Sequence, residues 1–490
     1  MRNRWTVFTL LLAVTLLPVF LSGQTRPKVT VSPTFAPPKS LVLATGNGFA
    51  PTSLVTISLD TQQIGEALTN ASGAFSRARV NIPSGTPEGP HFIKVSDPTG
   101  VVVTIPFTIL TNWSMRRFDP QNTANNPYEW KLDTSTVTAL TAAWSTTVVP
   151  CDQTTAIVAD GVVYYNSATG GLQALDSATG ALLWSFDMSS PTSGNCGTSP
   201  AATVSPTGKG LVFVQNQAGK VYAIDVSTHL PVWTYQNGDT FYDGYPVPVG
   251  NTVFLENLDG AGAVTALNRL SGTLKWSIGL VDSSNVECQP YAVAWRSGAV
   301  YVASYGYCGL SKLNDSTGQV VWGNPVTGDA PLYPVAAIKM VYAEHLGIAS
   351  STGKILFDDG RLDAAELALD NGQLYSVRGF HSGINKTDDL CAFNATTGSQ
   401  LWCLTPPGSV PFADGAEIVA NGIVYVGAET TIYQAVIAVD RNGNILMQKV
   451  LAGASVNGYA PLPSAVVDGT LYVESFASTT GDPATFWAFR

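Results

Sequence analysis

The sequence predicts an all-β chain: an N-terminal β-sandwich followed by an eight-bladed β-propeller, closed by the strand that opens the propeller segment. Three observations carry this. Gly fills 46 positions and Pro 30, while charged residues make up only 12% of 490, so turns are frequent and charged helical faces scarce. Residues 27–110 alternate apolar and polar side chains between turn signals about every 8–12 positions, as half-buried strands do. From residue 138 a unit of 35–49 residues recurs and closes each time on a large apolar side chain, a period typical of propeller blades.

Residues 1–23 read as a secretory signal peptide. MRNRW supplies two positive charges, residues 5–21 are apolar except for Thr and Pro18, and LSGQ at 21–24 offers small residues for cleavage after Gly23. A retained membrane anchor is the alternative, and the run is short for one. Gln24 stands where a lipid anchor would need Cys. Beyond residue 24 no stretch is long and apolar enough to span a bilayer, so the mature chain is expected to lack a transmembrane span. The expected location is exported: periplasmic, cell-surface or extracellular.

Residues 27–110 contain the runs KVTVSPT, SLVLATGNGF, LVTISLD, FSRARVNI, HFIKVSD and VVVTIPFTIL, enough for about seven sandwich strands. GNGFAP (46–51), NASGAF (70–75) and PEGPHFIKVSD (87–97) resemble the small immunoglobulin-like (Ig-like) modules of secreted and cell-surface bacterial proteins. That resemblance implies a spacer or binding module. A lead-in segment, 111–137, follows.

The propeller is expected over 138–490. Its units contain ADGVVYY (159–165), GKGLVFV (208–214), GNTVFL (250–255), SGAVYV (297–302), DNGQLYS (370–376), ANGIVYV (420–426) and VDGTLYV (467–473). They close on Trp184, Trp233, Trp276, Trp322, Phe357, Trp402 and Met447, and Trp144 precedes them all. The last unit stops at TFWAFR without an outermost strand, whereas TALTAAW (138–144) has no blade of its own. Pairing the two closes the ring without an open sheet edge. The unit at 333–357 is the most degenerate of the eight.

The recurrent phrase ALDSATGALLW (174–184) explains itself physically. Asp176 can accept from backbone N–H groups inside the turn. Gly180 can take positive φ without a Cβ penalty. Trp184 beside the small Ala174 lets neighbouring blades interlock, and an indole buries about 150–250 Å². Trp144, Trp184, Trp233, Trp276, Trp322 and Trp402 are therefore expected to fasten blade to blade.

The spacing A-x-D-x-x-T-G-x-x-x-W, matched fully at 174–184 and in part at 223–233, 266–276 and 392–402, resembles the tryptophan-docking motif of quinoprotein-type (PQQ-like) β-propellers. Asn268 and Asn394 replace Asp in two copies. NWSMRRFDPQNTANNPYEWKLDTSTVTALTAAW (112–144) resembles the lead-in of such propellers. The resemblance implies either of two branches: dehydrogenases that use pyrroloquinoline quinone (PQQ) and calcium, or non-enzymatic propellers such as the outer-membrane barrel-assembly lipoprotein. The dehydrogenase branch carries a vicinal Cys–Cys pair, a calcium held by Glu, Asn and Asp, and a catalytic Asp. No adjacent cysteines occur here and no C-x-x-C-H haem motif is present. No catalytic, cofactor-binding or metal-binding residue is assigned. The expectation is a non-catalytic scaffold without cofactor, with a PQQ- and calcium-dependent dehydrogenase as the alternative.

Other chemistries find little footing. A net charge of −10 without a basic cluster beyond the N-terminus and Arg116–Arg117 argues against nucleic acid. His91, His229, His345 and His381 show no metal-ligand spacing. G-x-S-x-G, P-loop and G-x-G-x-x-G motifs are absent. DRNGN (440–444) falls where each blade has its outer turn, so it is read as a turn. Sequons stand at Asn70, Asn112, Asn314, Asn385 and Asn394, relevant only in a glycosylating host.

Six cysteines in an exported chain favour disulfides. Cys288 with Cys308, and Cys391 with Cys403, flank turns symmetrically and could bridge adjacent strands. Cys151 and Cys196 remain and would link the first two blades. This is one of 15 connectivities that six cysteines allow. Finally, the loops leading into the innermost strands carry Asp152, Phe241, Tyr242, Asp243, Tyr245, Glu287, Tyr291, Tyr333, Phe412, Asp414 and Tyr459. Aromatics with carboxylates at a concave mouth suit a sugar, peptide or cation. The expected partner is an envelope or extracellular protein or a glycan, and the chain is expected to be monomeric.

Overall fold

A computed structural model describes residues 26–490 apart from 33, 88, 150, 152–153, 170, 189–195, 204–209, 239–243, 258–261, 283, 306–307, 326–332, 363–365, 378–388, 406–411, 413–416, 430–432, 452–459 and 476–482. The regular structure of the described residues is almost entirely β-strand.

Two sheets occupy residues 28–109. One joins Lys28–Ser32, Leu41–Asn47 and Phe75–Asn81; the other orders Phe35–Ala36, Val102–Ile109, Gly89–Ser96, Leu54–Leu59 and Gln62–Leu68. Alternation puts Val42 and Ala44 inward from one sheet and Val55, Ile57, Leu59, Ile93 and Val95 inward from the other. The strand Gln62–Leu68 shows no such alternation. It pairs on only one side, at the sheet edge, where no continuous apolar face is required.

From residue 125 onward the strands form eight sheets among the described residues. Sheet 1 holds Ile157–Ala159, Val162–Ser167, Gly171–Asp176 and Leu182–Phe186; sheet 2, Ala201–Thr203, Leu211–Gln215, Lys220–Asp225 and Pro231–Gln236. Sheet 3 holds Val247–Val249, Thr252–Asn257, Ala263–Asn268 and Leu274–Ile278; sheet 4, Glu287–Arg296, Ala299–Tyr305, Leu310–Asn314 and Val320–Asn324, with Leu280–Val281 added. Sheet 5 holds Val335–Ala336, Met340–Ala343, Leu346–Ala349 and Ile355–Asp358; sheet 6, Ala368–Asp370, Gln373–Val377, Leu390–Asn394 and Gln400–Leu404. Sheet 7 holds Ile418–Ala420, Ile423–Glu429, Gln434–Asp440 and Ile445–Val450. Sheet 8 holds Leu462–Val467, Thr470–Glu474 and Ala484–Phe489, and its fourth strand is Ala142–Val148 from the start of the segment.

Innermost strands of neighbouring sheets touch from sheet 1 through sheet 5, and again from sheet 6 through sheet 8. One buried cluster of Val335, Tyr342, Leu374 and Phe393 joins sheets 5 and 6. The innermost strand of sheet 8 touches that of sheet 1, so the succession returns to its start.

One device repeats in all eight sheets. The pairing of the third and fourth strands slips by one residue just before the large closing side chain: Leu182 faces Leu175, Leu183 is skipped, and Trp184 faces Ala174. The same slip precedes Trp144, Trp233, Trp276, Trp322, Phe357, Trp402 and Met447. A bulge bends the strand and re-aims the next side chain; here it turns the indole toward the following sheet. Trp144 Nε1 donates to Ser177 O at 3.0 Å, Trp233 to Arg269 O at 2.9 Å, Trp276 to Asp315 O at 2.9 Å, Trp322 to Ser350 O at 3.2 Å and Trp402 to Arg441 O at 2.9 Å. Each acceptor lies in the outer turn of the next sheet. The turn glycine is needed there because a Cβ on Gly272 would come within 2.6 Å of the Trp233 ring. Sheet 2 departs from this: His229, at φ 59°, replaces the glycine and stacks on Trp184 at 4.7 Å.

A second aromatic, third in the second strand, backs each docking ring. Tyr164 meets Trp184, Phe213 meets Trp233, Phe254 meets Trp276, Tyr301 meets Trp322, Tyr342 meets Phe357, Tyr375 meets Trp402 and Tyr472 meets Trp144, with centroids 5.8–6.4 Å apart. The turn acid accepts from backbone amides two and three residues on, and Asn does so as well as Asp: Asp176 Oδ1 takes Ala178 and Thr179, Asn268 Oδ1 takes Leu270 and Ser271.

All six cysteines lie in bonded pairs: Cys151–Cys196 joins the approaches to sheets 1 and 2, Cys288–Cys308 lies within sheet 4, and Cys391–Cys403 are register partners in sheet 6.

Candidate functional site

The space enclosed by the innermost strands is occupied by the chain itself. Asn112 pairs with Asp160 at a hairpin turn of sheet 1, and Trp113 exchanges both backbone bonds with Val158. The innermost strands then donate in turn to this segment: Ala202 N–H to Ser114 O, Trp295 to Pro120 O, Ala336 to Gln121 O, Leu369 to Thr123 O and Val419 to Ala124 O, at 2.6–2.9 Å. Asn125–Asn126 pairs in parallel with Ile418–Ala420, and Asn126 Nδ2 donates to Val466 O. Tyr245, which leads into sheet 3, donates its hydroxyl to Asn122 Oδ1 at 2.9 Å. Residues 112–126 therefore bond to seven of the eight sheets and, through Tyr245, to the approach to sheet 3.

This path demands unusual backbone. Arg117, Phe118, Asn122 and Ala124 lie at φ 64°, 71°, 58° and 50°, conformations that L-residues hold only when their surroundings over-determine them. Asp119 helps, accepting from Thr123 N–H at 3.0 Å; burial nevertheless pushes its carboxyl up to about 6.

At the turn of the segment, Arg116 and Arg117 grip one carboxylate. Arg116 Nη2 donates to Glu366 Oε1 at 2.5 Å and Arg117 Nη1 to Glu366 Oε2 at 2.6 Å. Arg117 also donates to Leu367 O and stands 3.8 Å from Glu417. The Arg116 guanidinium lies over Tyr333 at 4.5 Å and Tyr245 at 5.8 Å, a cation–π arrangement. Tyr291 meets Tyr333 edge-on at 5.3 Å. Glu256 accepts from Tyr245 N–H through Oε1 at 2.8 Å. Burial pushes Glu256 up to about 8, so it is mainly neutral at pH 7.

Of the side chains expected at a solvent-facing mouth, Tyr245, Tyr291, Tyr333 and Phe412 are instead buried, at 2–4% exposure. The first three are packed around Arg116, and their approaches turn inward because a buried guanidinium needs aromatic and anionic company. Glu287 is exposed at the start of its strand and stands apart from them. Asp152, Phe241, Tyr242, Asp243, Asp414 and Tyr459 lie outside the described residues. Sequence reasoning missed Arg116, Arg117, Glu366, Glu417, Glu256 and Asn122. The one available signal was the sole internal pair of basic residues, set between Trp113 and Phe118 in a chain poor in charge.

The described residues do not assemble the donors that a quinone and calcium pair would use. Among the described residues no group of three His, Cys, Asp or Glu side chains could hold a metal ion, and the cysteine pairs are separated by 45, 20 and 12 positions instead of being adjacent.

Comparison with known proteins gives the class. The family described as "Outer membrane protein assembly factor BamB" matches residues 136–236 and 168–336: this part of the chain carries PQQ-like repeats of the BamB type. The tetrathionate hydrolase of Acidithiobacillus ferrooxidans is 25% identical over 315 residues, 57% of this chain and 54% of that one. The BamB of Yersinia pestis is 29% identical over 210 residues, 39% of this chain and 52% of that one. The chain thus spans about half the length of these relatives, one named as a hydrolase and one as an assembly factor. Among solved structures, the quinohemoprotein alcohol dehydrogenase of Comamonas testosteroni aligns with TM-score 0.60 at 15% identity, over 77% of this chain and 80% of that one. BamB of Moraxella catarrhalis aligns with TM-score 0.50 at 17% identity, over 71% and 99%. At these identities the likeness shows the fold alone, an all-β protein with β-propeller neighbours.

Proposed function

We propose that the chain is an exported, non-catalytic binding scaffold: an Ig-like module followed by an eight-bladed propeller that holds an envelope or extracellular protein, or a glycan. The observation that carries the reading is the occupied central space. Residues 112–126 fill it with a hydrogen-bonded strap whose charges are matched internally, Arg116 and Arg117 against Glu366 and Glu417. Paired buried charges of this kind fix a conformation; they leave recognition to the surface loops. The BamB-type match supports a protein partner at the envelope. The signal-like residues 1–23 and three disulfides accord with export. The working form is taken to be a monomer.

The test sets this reading against the quinoprotein alternative. Purified chain is mixed with PQQ and calcium and assayed for dye-linked oxidation of alcohols and sugars. The reading expects no turnover and no shift of the quinone absorbance. Reproducible turnover that scales with protein overturns it.

A further inference from the structure

Sheets 5 and 6 meet differently from every other neighbouring pair. Their innermost strands pack less closely than those of the other pairs. No strand of sheet 5 exceeds four residues. Its docking ring is Phe357, which sits against Gly398 in the outer turn of sheet 6 but has no N–H to donate there. The joint leans instead on the chain that leaves sheet 5. Leu362 is fully buried and shares one cluster with Leu374, Cys391 and Phe393 of sheet 6. Two backbone bonds place it: Leu362 N–H donates to Asp359 O at 2.8 Å, and Asp359 N–H to His345 O at 3.0 Å.

His345 is set in the two-residue turn between the second and third strands of sheet 5. Glu344, buried and at φ 53°, precedes it. Glu344 Oε2 lies 3.5 Å from His345 Nδ1, and Asp358 Oδ1, at the end of the outermost strand, lies 3.6 Å from Nε2. A neutral imidazole donates from one nitrogen only, so it would turn a lone pair on one of these carboxylates. The imidazolium donates from both. The side chain is 24% exposed, so water can deliver and remove the proton. The charged groups beside it among the described residues are Glu344, Asp358 and, one residue on, Asp359.

We propose that His345 is a proton-operated latch on the joint between sheets 5 and 6. Protonated, it ties the hairpin of sheet 5 to the strand end from which the chain leaves for sheet 6, and so holds Asp359 and Leu362 in place. Deprotonated, it has no charge to hold the two carboxylates, and this corner loosens while the innermost strands stay paired. The sign follows from linkage. Two neighbouring carboxylates favour the imidazolium, so the folded histidine keeps its proton to a higher pH than the unfolded one, which loses it near about 6.5. The stabilisation is complete below that unfolded value and is lost as the pH rises through the folded midpoint.

The full chain, labelled at its four histidines, is titrated by NMR, the His345 signal being the one lost in His345→Gln. It is expected to titrate at a higher pH than the histidines of the urea-unfolded chain. Hydrogen exchange read by mass spectrometry then compares wild type and His345→Gln over residues 355–362. At about pH 6 the variant should exchange about tenfold faster, and at about pH 9 the two should match. Should that variant fail to fold, Asp358→Asn, at an exposed strand end, should lower the His345 midpoint and speed exchange at the same low pH. A midpoint at or below that of the unfolded chain, equal exchange at low pH, or a difference that persists unchanged at high pH overturns the proposal.

Discussion

At the scale of single residues, the docking tryptophans were legible because a large side chain recurring every 35–49 positions needs no partner to be noticed. What the indole does was only half legible. The bulge that aims it is a backbone event, written in pairing and not in side chains. Its aromatic backing was visible in each repeat, as Tyr164 or Phe254, yet nothing local marks these as partners of a ring some 20 residues away. Trp276 tests the reading: it packs on Phe254 and against Gly318 and donates to Asp315 O. Trp276→Ala should lower unfolding stability by ~3–5 kcal/mol. Trp276→Phe should cost less, the hydrogen bond accounting for about 1 kcal/mol of the difference. Denaturant unfolding of both variants measures this, and equal, negligible losses would show that the ring is ornamental.

At the scale of elements, alternation located the N-terminal strands wherever one face is buried, and it missed Gln62–Leu68, an edge strand with no face to declare itself. Two of the cysteine pairs followed from the symmetry of the turns they flank, and Cys151–Cys196 was the pair left over. The strap at 112–126 was visible only as a lead-in. Its partners Glu366 and Glu417 are about 250 and 300 residues away in sequence, and such distant pairings leave no local trace. Their coupling makes a prediction. Arg117→Met removes the cation that faces both Glu366 and Glu417, and removal of one partner from a buried pair costs about 3–5 kcal/mol. Adding Glu417→Leu should recover part of that loss, because one of the two buried carboxylates goes with it. Calorimetric melting of the single and double variants decides: a double variant no more stable than Arg117→Met would show that the strap is held by other contacts. Tyr245, buried and bonded to Asn122, belongs to the same unit, so its truncation lowers stability first and recognition second.

At the scale of the whole molecule, two joins hold the account together. Ala142–Val148 pairs with Ala484–Phe489, tying the last sheet to the start of the segment, and the strap bonds to seven of the eight sheets and to the approach to sheet 3. Both join residues far apart in sequence, so both should open only when the sheets themselves come apart. Closure was legible from the missing outermost strand; the internal strap was not. Native-state amide hydrogen exchange tests the two joins together. The account predicts that the bonded amides of Trp113, Phe118 and Ala124 and those of Ala484–Phe489 exchange as slowly as the innermost strands, through global unfolding. Fast local exchange in either segment, with the innermost strands still protected, would contradict it.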